Sequence, residues 1–181
     1  MNHDHYSDHA IRSILNGVKR IAMVGASANT VRPSYFALKY LMERGYDMRP
    51  VNPGQAGGSV LGLEWYARLA DVPGPIDMVD VFRGVDALPG VLDEVLALDP
   101  LPRVLWLQLG IRDDAIAARA EAHGIEVIMN RCPKIEYGRL SGEIGWAGVN
   151  SRTLSSKKPL VSGTQRLGIG GGNPFGTRNR D

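Results

Sequence analysis

The chain of 181 residues carries a formal net charge of +2, with 44% hydrophobic and 22% charged residues. That length suits one domain burying roughly 70% of its unfolded surface. The single cysteine, Cys132, excludes an internal disulfide and a cysteine-rich zinc site. No apolar run approaches the ~18 residues of a membrane span, and MNHDHYSDHA has no signal-peptide core, so a soluble, cytoplasmic protein is expected.

The near-neutral total conceals a split. From Ser151 onward there are six basic residues and one acid, leaving 15 basic against 18 acidic side chains in the first 150. A nucleic-acid-binding protein usually has a basic body, whereas this body is acidic and its tail basic.

Ser7 is placed to cap a helix running to about Leu15 and closed by Gly17. Arg20 to Gly25 reads as a strand buried on both faces. Pro33 suits the first position of a helix that carries Tyr35, Phe36, Leu38, Leu41 and Met42 to Gly45. Asp47 to Val51 is a second strand, stopped by Asn52-Pro53-Gly54, and a short helix is expected near Glu64–Leu69. Ile76 to Phe82 is the third strand. Asp86 to Leu98 is helical, with Pro89 in its first turn, where a missing N–H does little harm. Val104 to Leu109 is the fourth strand, Asp113 to His123 an alanine-rich helix, and Ile125 to Met129 the fifth strand.

Five apolar strands alternating with helices predict an α/β domain, a doubly wound, Rossmann-like parallel sheet covered on both faces. The expected strand order is 3-2-1-4-5, with a ligand crevice outside the strands' C-terminal ends. This domain is expected to span residues 1–140. Residues 141–158, anchored by Trp146, read as a docking extension, and 159–181 as a disordered glycine- and arginine-rich tail.

Four of the five strands deliver a cation toward that C-terminal rim. Gly25-Ala26-Ser27 leads to Arg32, Phe82 to Arg83, Gln108-Leu109-Gly110 to Arg112, and Asn130-Arg131-Cys132 to Lys134. Guanidinium groups and helix N-termini bind phosphate oxygens, so a large phosphorylated ligand is one reading. Solvated strand-end arginines with no shared target are the other. The turn GASANT holds one glycine where NAD sites want G-x-G-x-x-G, and the second strand's acid, Asp47, lies at its far end, so NAD is disfavoured. NADP survives better, because Arg32 or Arg49 is available for a 2′-phosphate.

IAMVGAS, RPSY, VNP, IDMVDVFR, LWLQLG and MNRCPKIE, in this order and spacing, resemble the small CoA-binding domain family, related to the N-terminal domain of the succinyl-CoA synthetase alpha subunit. The resemblance covers about residues 7 to 140. It implies that Gly25, Ala26, Ser27 and Arg32 hold the CoA phosphates, that Asn52 and Pro53 lie near the adenosine, and that Phe82 and Arg83 run along the cofactor. It places Gln108, Gly110, Asn130 and Cys132 on the pantetheine side. Asn130 departs from the family, where Asp often precedes Arg-Cys.

A serine hydrolase reading, with Ser27, Asp80 or Asp113, and His123, is disfavoured because five strands are too few and His123 closes a helix. Cys132 is either a thiol near the CoA sulfur or a half-buried strand-end residue. His3, His5 and His9 lie on a start expected to be solvated and unstructured, and the tryptophans are expected to pack rather than stack on bases. The resulting expectation is a protein that binds CoA or acyl-CoA, without catalysis of its own, and senses or delivers it. Its partners would be a second copy or an acyl-transfer enzyme, with no nucleic acid and no membrane. The alternatives are an NADP-dependent oxidoreductase on the same scaffold and a CoA-site subunit of an acyl-CoA ligase or acyltransferase assembly.

Overall fold

The computed structural model describes residues 2–142. The tail at 159–181 and all but the first two residues of the extension at 141–158 lie outside the described residues, Trp146 with them.

The first helix, α1 (Asp8–Gly17), starts where Ser7 Oγ accepts the Ala10 N–H at 3.1 Å, and it buries Ile11, Ile14 and Leu15. β1 (Arg20–Val24) follows, its three central residues fully covered. α2 (Pro33–Glu43) begins on a proline, whose fixed φ suits the first turn, and Gly45 at φ +89° turns the chain out of it. β2 (Asp47–Val51) then returns beside β1.

The expected helix near 64–69 is replaced by a hairpin of β3 (Ser59–Val60) and β4 (Leu63–Glu64), followed by a 3₁₀ turn at Leu69–Asp71. Leu61 and Gly62 both have positive φ, +53° and +79°, the backbone of a two-residue hairpin turn. Trp65 and Leu69 tuck into the core on either side.

β5 (Met78–Val81), α3 (Leu88–Leu96), β6 (Val104–Leu107), α4 (Asp114–Glu121) and β7 (Glu126–Ile128) complete the alternation. A last helix, α5 (Pro133–Ser141), closes at Gly142 with φ +83°. Sequence periodicity does not show it, because it buries Pro133, Glu136 and Gly138 rather than an apolar stripe.

All pairings in the main sheet are parallel, and its order is β2-β1-β5-β6-β7. Counting these core strands in chain order gives 2-1-3-4-5, which corrects the expected 3-2-1-4-5. β5 pairs directly with β1, from Ile21↔Met78 to Val24↔Val81. All four β5 residues are buried, as a strand with neighbours on both sides requires. β2 carries Pro50, which has no N–H to donate and suits the sheet's edge. The doubly wound class stands, but the chain reverses direction across the sheet between β1 and β5.

Two cores result. One face packs Val79, Val81, Leu105 and Leu107 under α3 and α4. The other packs Ile21, Met23, Met78 and the fully buried Trp106 with residues of α1 and α2. Each large apolar side chain so covered contributes roughly 1.5–3 kcal/mol of transfer free energy.

Among the described residues no helix is long and apolar enough to cross a membrane. The N-terminal segment, expected to be loose, is tied down. Tyr6 Oη accepts the buried Met129 N–H at 2.9 Å, and His3 Nδ1 lies 2.9 Å from the same hydroxyl.

Candidate functional site

In an open parallel sheet, ligands bind at the C-terminal ends of the two strands where the winding reverses. Here those strands are β1 and β5, so the crevice opens between Gly25 and Phe82-Arg83. Gly25 has φ +82°, and a Cβ there would stand 2.8 Å from both the Phe82 carbonyl oxygen and Arg83 Cδ. The first turn therefore lies against the end of β5 only because residue 25 is glycine. Asn52 ties the same turn to β2: its Nδ2 donates to the Ala26 carbonyl at 2.8 Å, while its Oδ1 accepts the Gly54 N–H at 3.0 Å.

Two clefts meet at this point. One, of about 400 Å³, is lined by Gly25, Asn52, Pro53, Gly54, Glu94 and Arg83 among others. The second, of about 430 Å³, is lined by Phe82, Gln108, Leu109, Cys132, Ile135 and again Arg83. Arg83 thus stands in the wall shared by both. Pro33 and Lys134, in the first turns of α2 and α5, also border the second cleft, so two helix N-termini open toward it.

Of the residues singled out from sequence, Gly25, Asn52, Pro53, Phe82, Arg83, Gln108 and Cys132 line one cleft or the other. Ala26, Ser27, Arg32, Gly110, Asn130 and Arg131 line neither. Ala26 is buried, and Ser27 Oγ accepts the Asn29 N–H, shaping the turn. Arg32 caps α2 through its backbone and makes no ion pair with any described residue. Asn130 sits at φ +53° and accepts the Gly110 N–H on Oδ1 at 2.8 Å, a task an aspartate would also perform.

Of the rim cations, Arg83 and Lys134 line the same cleft, whereas Arg112 and Arg131 are engaged elsewhere. Arg112 pairs with Asp4 at 2.8 Å and Asp114 at 3.1 Å, and Arg131 lies over the Tyr6 ring with Glu136 beside it. Arg49, midway along β2, is held by Asp47 and Tyr66. Burial alone would raise the Asp47 carboxyl, but hydrogen bonds from Arg20 and Arg49 hold it below the ordinary range. The hydrolase constellation does not assemble either: Asp113 caps the start of α4, and His123 lies past its end with Nδ1 near the Arg119 carbonyl.

Asp80 is the residue whose importance sequence reasoning missed. It is fully buried on β5 between Met23 of β1 and Trp106 of β6. Gln108 Nε2 donates to its Oδ1 at 2.7 Å, and its Oδ2 has no partner among the described residues. Burial pushes this carboxyl up to about 7, against the opposing pull of the Gln108 bond. The signal was an acid inside an otherwise apolar strand, on the same face as Met78. Cys132, at the start of α5, is also buried, and burial raises its thiol above the ordinary range. At neutral pH it is a poor nucleophile.

A family model described as "CoA binding domain" matches residues 19–138. The chain belongs to the CoA-binding domain family. The match includes every strand of the main sheet and both clefts, and it leaves Tyr6 and α1 outside. The chain matches nearly the whole length of several shorter relatives. The uncharacterized protein YneT of Bacillus subtilis (strain 168) is 37% identical over 127 residues, which is 70% of this chain and 91% of YneT. A solved structure from Thermus thermophilus, "cell-free ID.343", is 40% identical with a TM-score of 0.71, covering 75% of this chain and 99% of that one. A hypothetical protein from Pyrococcus horikoshii OT3 is 33% identical with a TM-score of 0.69, covering 76% of this chain and 94% of that one.

Proposed function

We propose that this protein binds CoA or acyl-CoA across the β1–β5 crevice, has no catalysis of its own, and senses the ligand or delivers it to a partner. The observation that carries the reading is Arg83, exposed in the wall common to two clefts, beside a glycine turn. A ligand suited to that arrangement has an anionic middle and two arms. CoA has that form, with a diphosphate between 3′-phosphoadenosine and pantetheine. The diphosphate takes Arg83 and the turn, with Ala26, Ser27 and Arg32 beside it. The adenosine takes the cleft of Asn52 and Pro53, and the pantetheine takes the more apolar cleft of Phe82, Gln108 and Cys132, bordered by Gly110, Asn130 and Arg131.

The non-catalytic part rests on what lines the clefts. The thiol is buried, and Glu94 is occupied by the Leu69 N–H at 3.2 Å. The four histidines of the chain, at 3, 5, 9 and 123, lie outside both linings. The domain is read as residues 1–140, working in the cytoplasm.

Native mass spectrometry of freshly purified protein tests the reading, with a CoA or acyl-CoA adduct expected. A co-purifying nicotinamide dinucleotide would overturn it. Arg83→Ala and Arg32→Ala should each weaken CoA binding by roughly 1–3 kcal/mol, the value of a charge-assisted phosphate contact. Unchanged affinity in both would remove the crevice from consideration.

A further inference from the structure

A carboxyl in the middle of a parallel sheet is costly, and Asp80 is not repaid by an ion pair. Its one hydrogen bond among the described residues comes from Gln108, at 2.7 Å. That bond has a directional consequence. An ionised carboxylate accepts hydrogen bonds and donates none, so it holds only the NH₂ end of a carboxamide. Gln108 is itself 5% exposed and lines the second cleft, so fixing Nε2 on Asp80 leaves Oε1 for the cleft.

The remaining lining gives that oxygen its meaning. Among the described residues of this cleft, Arg83 and Lys134 only donate, Cys132 offers a thiol, and Pro33, Ala37, Phe82, Leu109, Ile111 and Ile135 are apolar. Gln108 Oε1 is therefore the one side-chain oxygen among these lining residues, and that of the bordering Asn130 is already held by the Gly110 N–H. A ligand N–H at this depth finds an acceptor, whereas an ether or ester oxygen in its place meets another oxygen.

We infer that Gln108 selects for an amide N–H in the ligand arm and that Asp80 is its positioning residue, holding the carboxamide with its oxygen outward. This rests on the proposed pantetheine occupancy, since pantetheine carries two secondary amides. Asp80 then acts only through Gln108, and the two side chains form one unit.

The test is isothermal titration calorimetry at pH 8.5 on the full chain, with two probes: CoA, and adenosine 3′-phosphate 5′-diphosphate, which lacks the pantetheine arm. Gln108→Met, Asp80→Leu and the double variant should each bind CoA roughly three- to tenfold more weakly, the value of one neutral hydrogen bond. All three should bind the armless nucleotide as the wild type does, and the double variant should lose no more than either single one. Wild-type protein needs no folding control: of two CoA analogues with one amide each replaced by an ester, one should bind weaker by the same factor. Additive losses, equal losses for the armless nucleotide, or ester analogues that both bind like CoA would overturn the inference. Failure of the wild type to bind either probe would instead overturn the proposed function.

Discussion

Asp80→Asn separates the energetic cost of this buried acid from everything else that titrates. The unfolded chain gives up the Asp80 proton near the ordinary 3.8, and the folded chain near 7. Between those values the folded protein holds a proton that the unfolded one has lost, so raising the pH favours unfolding. The stability conferred by neutral Asp80 is fully present below pH 3.8 and is lost as pH rises through 7. Each pH unit between them is worth about 1.4 kcal/mol, so the total is about 4 kcal/mol. Asp47, held low by Arg20 and Arg49, has the opposite sign and is common to both proteins. Urea denaturation at intervals from pH 4 to 8 is the assay. At a typical slope of ~2 kcal/mol/M, the wild-type midpoint should fall by ~2 M relative to that of the Asp80→Asn variant across that range. Parallel midpoints for the two proteins would refute the reasoning, whatever the fixed offset between them.

Gly25→Ala should cost at least about 1–2 kcal/mol from its left-handed backbone, with more from contact with the Phe82 carbonyl, and it should weaken CoA binding. Gly124→Ala has a similar φ of +83° with nothing within 4 Å, so in the same denaturation assay it should show the backbone cost alone. Tyr6→Phe orphans the buried Met129 N–H and should lose about 1–3 kcal/mol by urea titration, with CoA affinity unchanged. Cys132 should react with iodoacetamide at pH 7.5 more slowly than free cysteine, and bound CoA should slow it further. Mass-detected labelling at the free-thiol rate would contradict its burial.

The inner strands were legible as short apolar runs, β2 was legible from the Asn52-Pro53-Gly54 stop despite its half-buried Asp47 and Arg49, and Ser7, Pro33 and Asp113 announced three helix starts in the chemistry of their side chains. Strand order was not, because periodicity says which residues are buried but not which neighbour buries them. Pro50 was a usable hint that β2 is an edge. α5 was hidden because Tyr137 and Leu140 are only partly buried and a carboxylate, Glu136, occupies its inner face. In the site, Gly25 and Arg83 were legible from a glycine and an arginine at strand ends, whereas Asn52 and Pro53 entered only through the family resemblance. The grouping of rim arginines was overstated, because nothing in the local sequence around Arg112 or Arg131 reveals Asp4 and Tyr6, more than a hundred residues away.

The two outer strands of the sheet also bear on how copies of this protein meet. An exposed strand edge is a template on which another chain can extend the sheet. At β2 that template is interrupted: Pro50 has no N–H, its carbonyl accepts the Tyr66 N–H at 3.0 Å, and the Tyr66 carbonyl accepts the Asn52 N–H at 2.9 Å. At the other margin β7 is three residues long, and the next N–H, of Met129, is already held by Tyr6. Strand-by-strand accretion therefore has little to grip on this molecule. Loss of the first six residues would reopen one margin, making N-terminal truncation a route to aggregation rather than a harmless trimming.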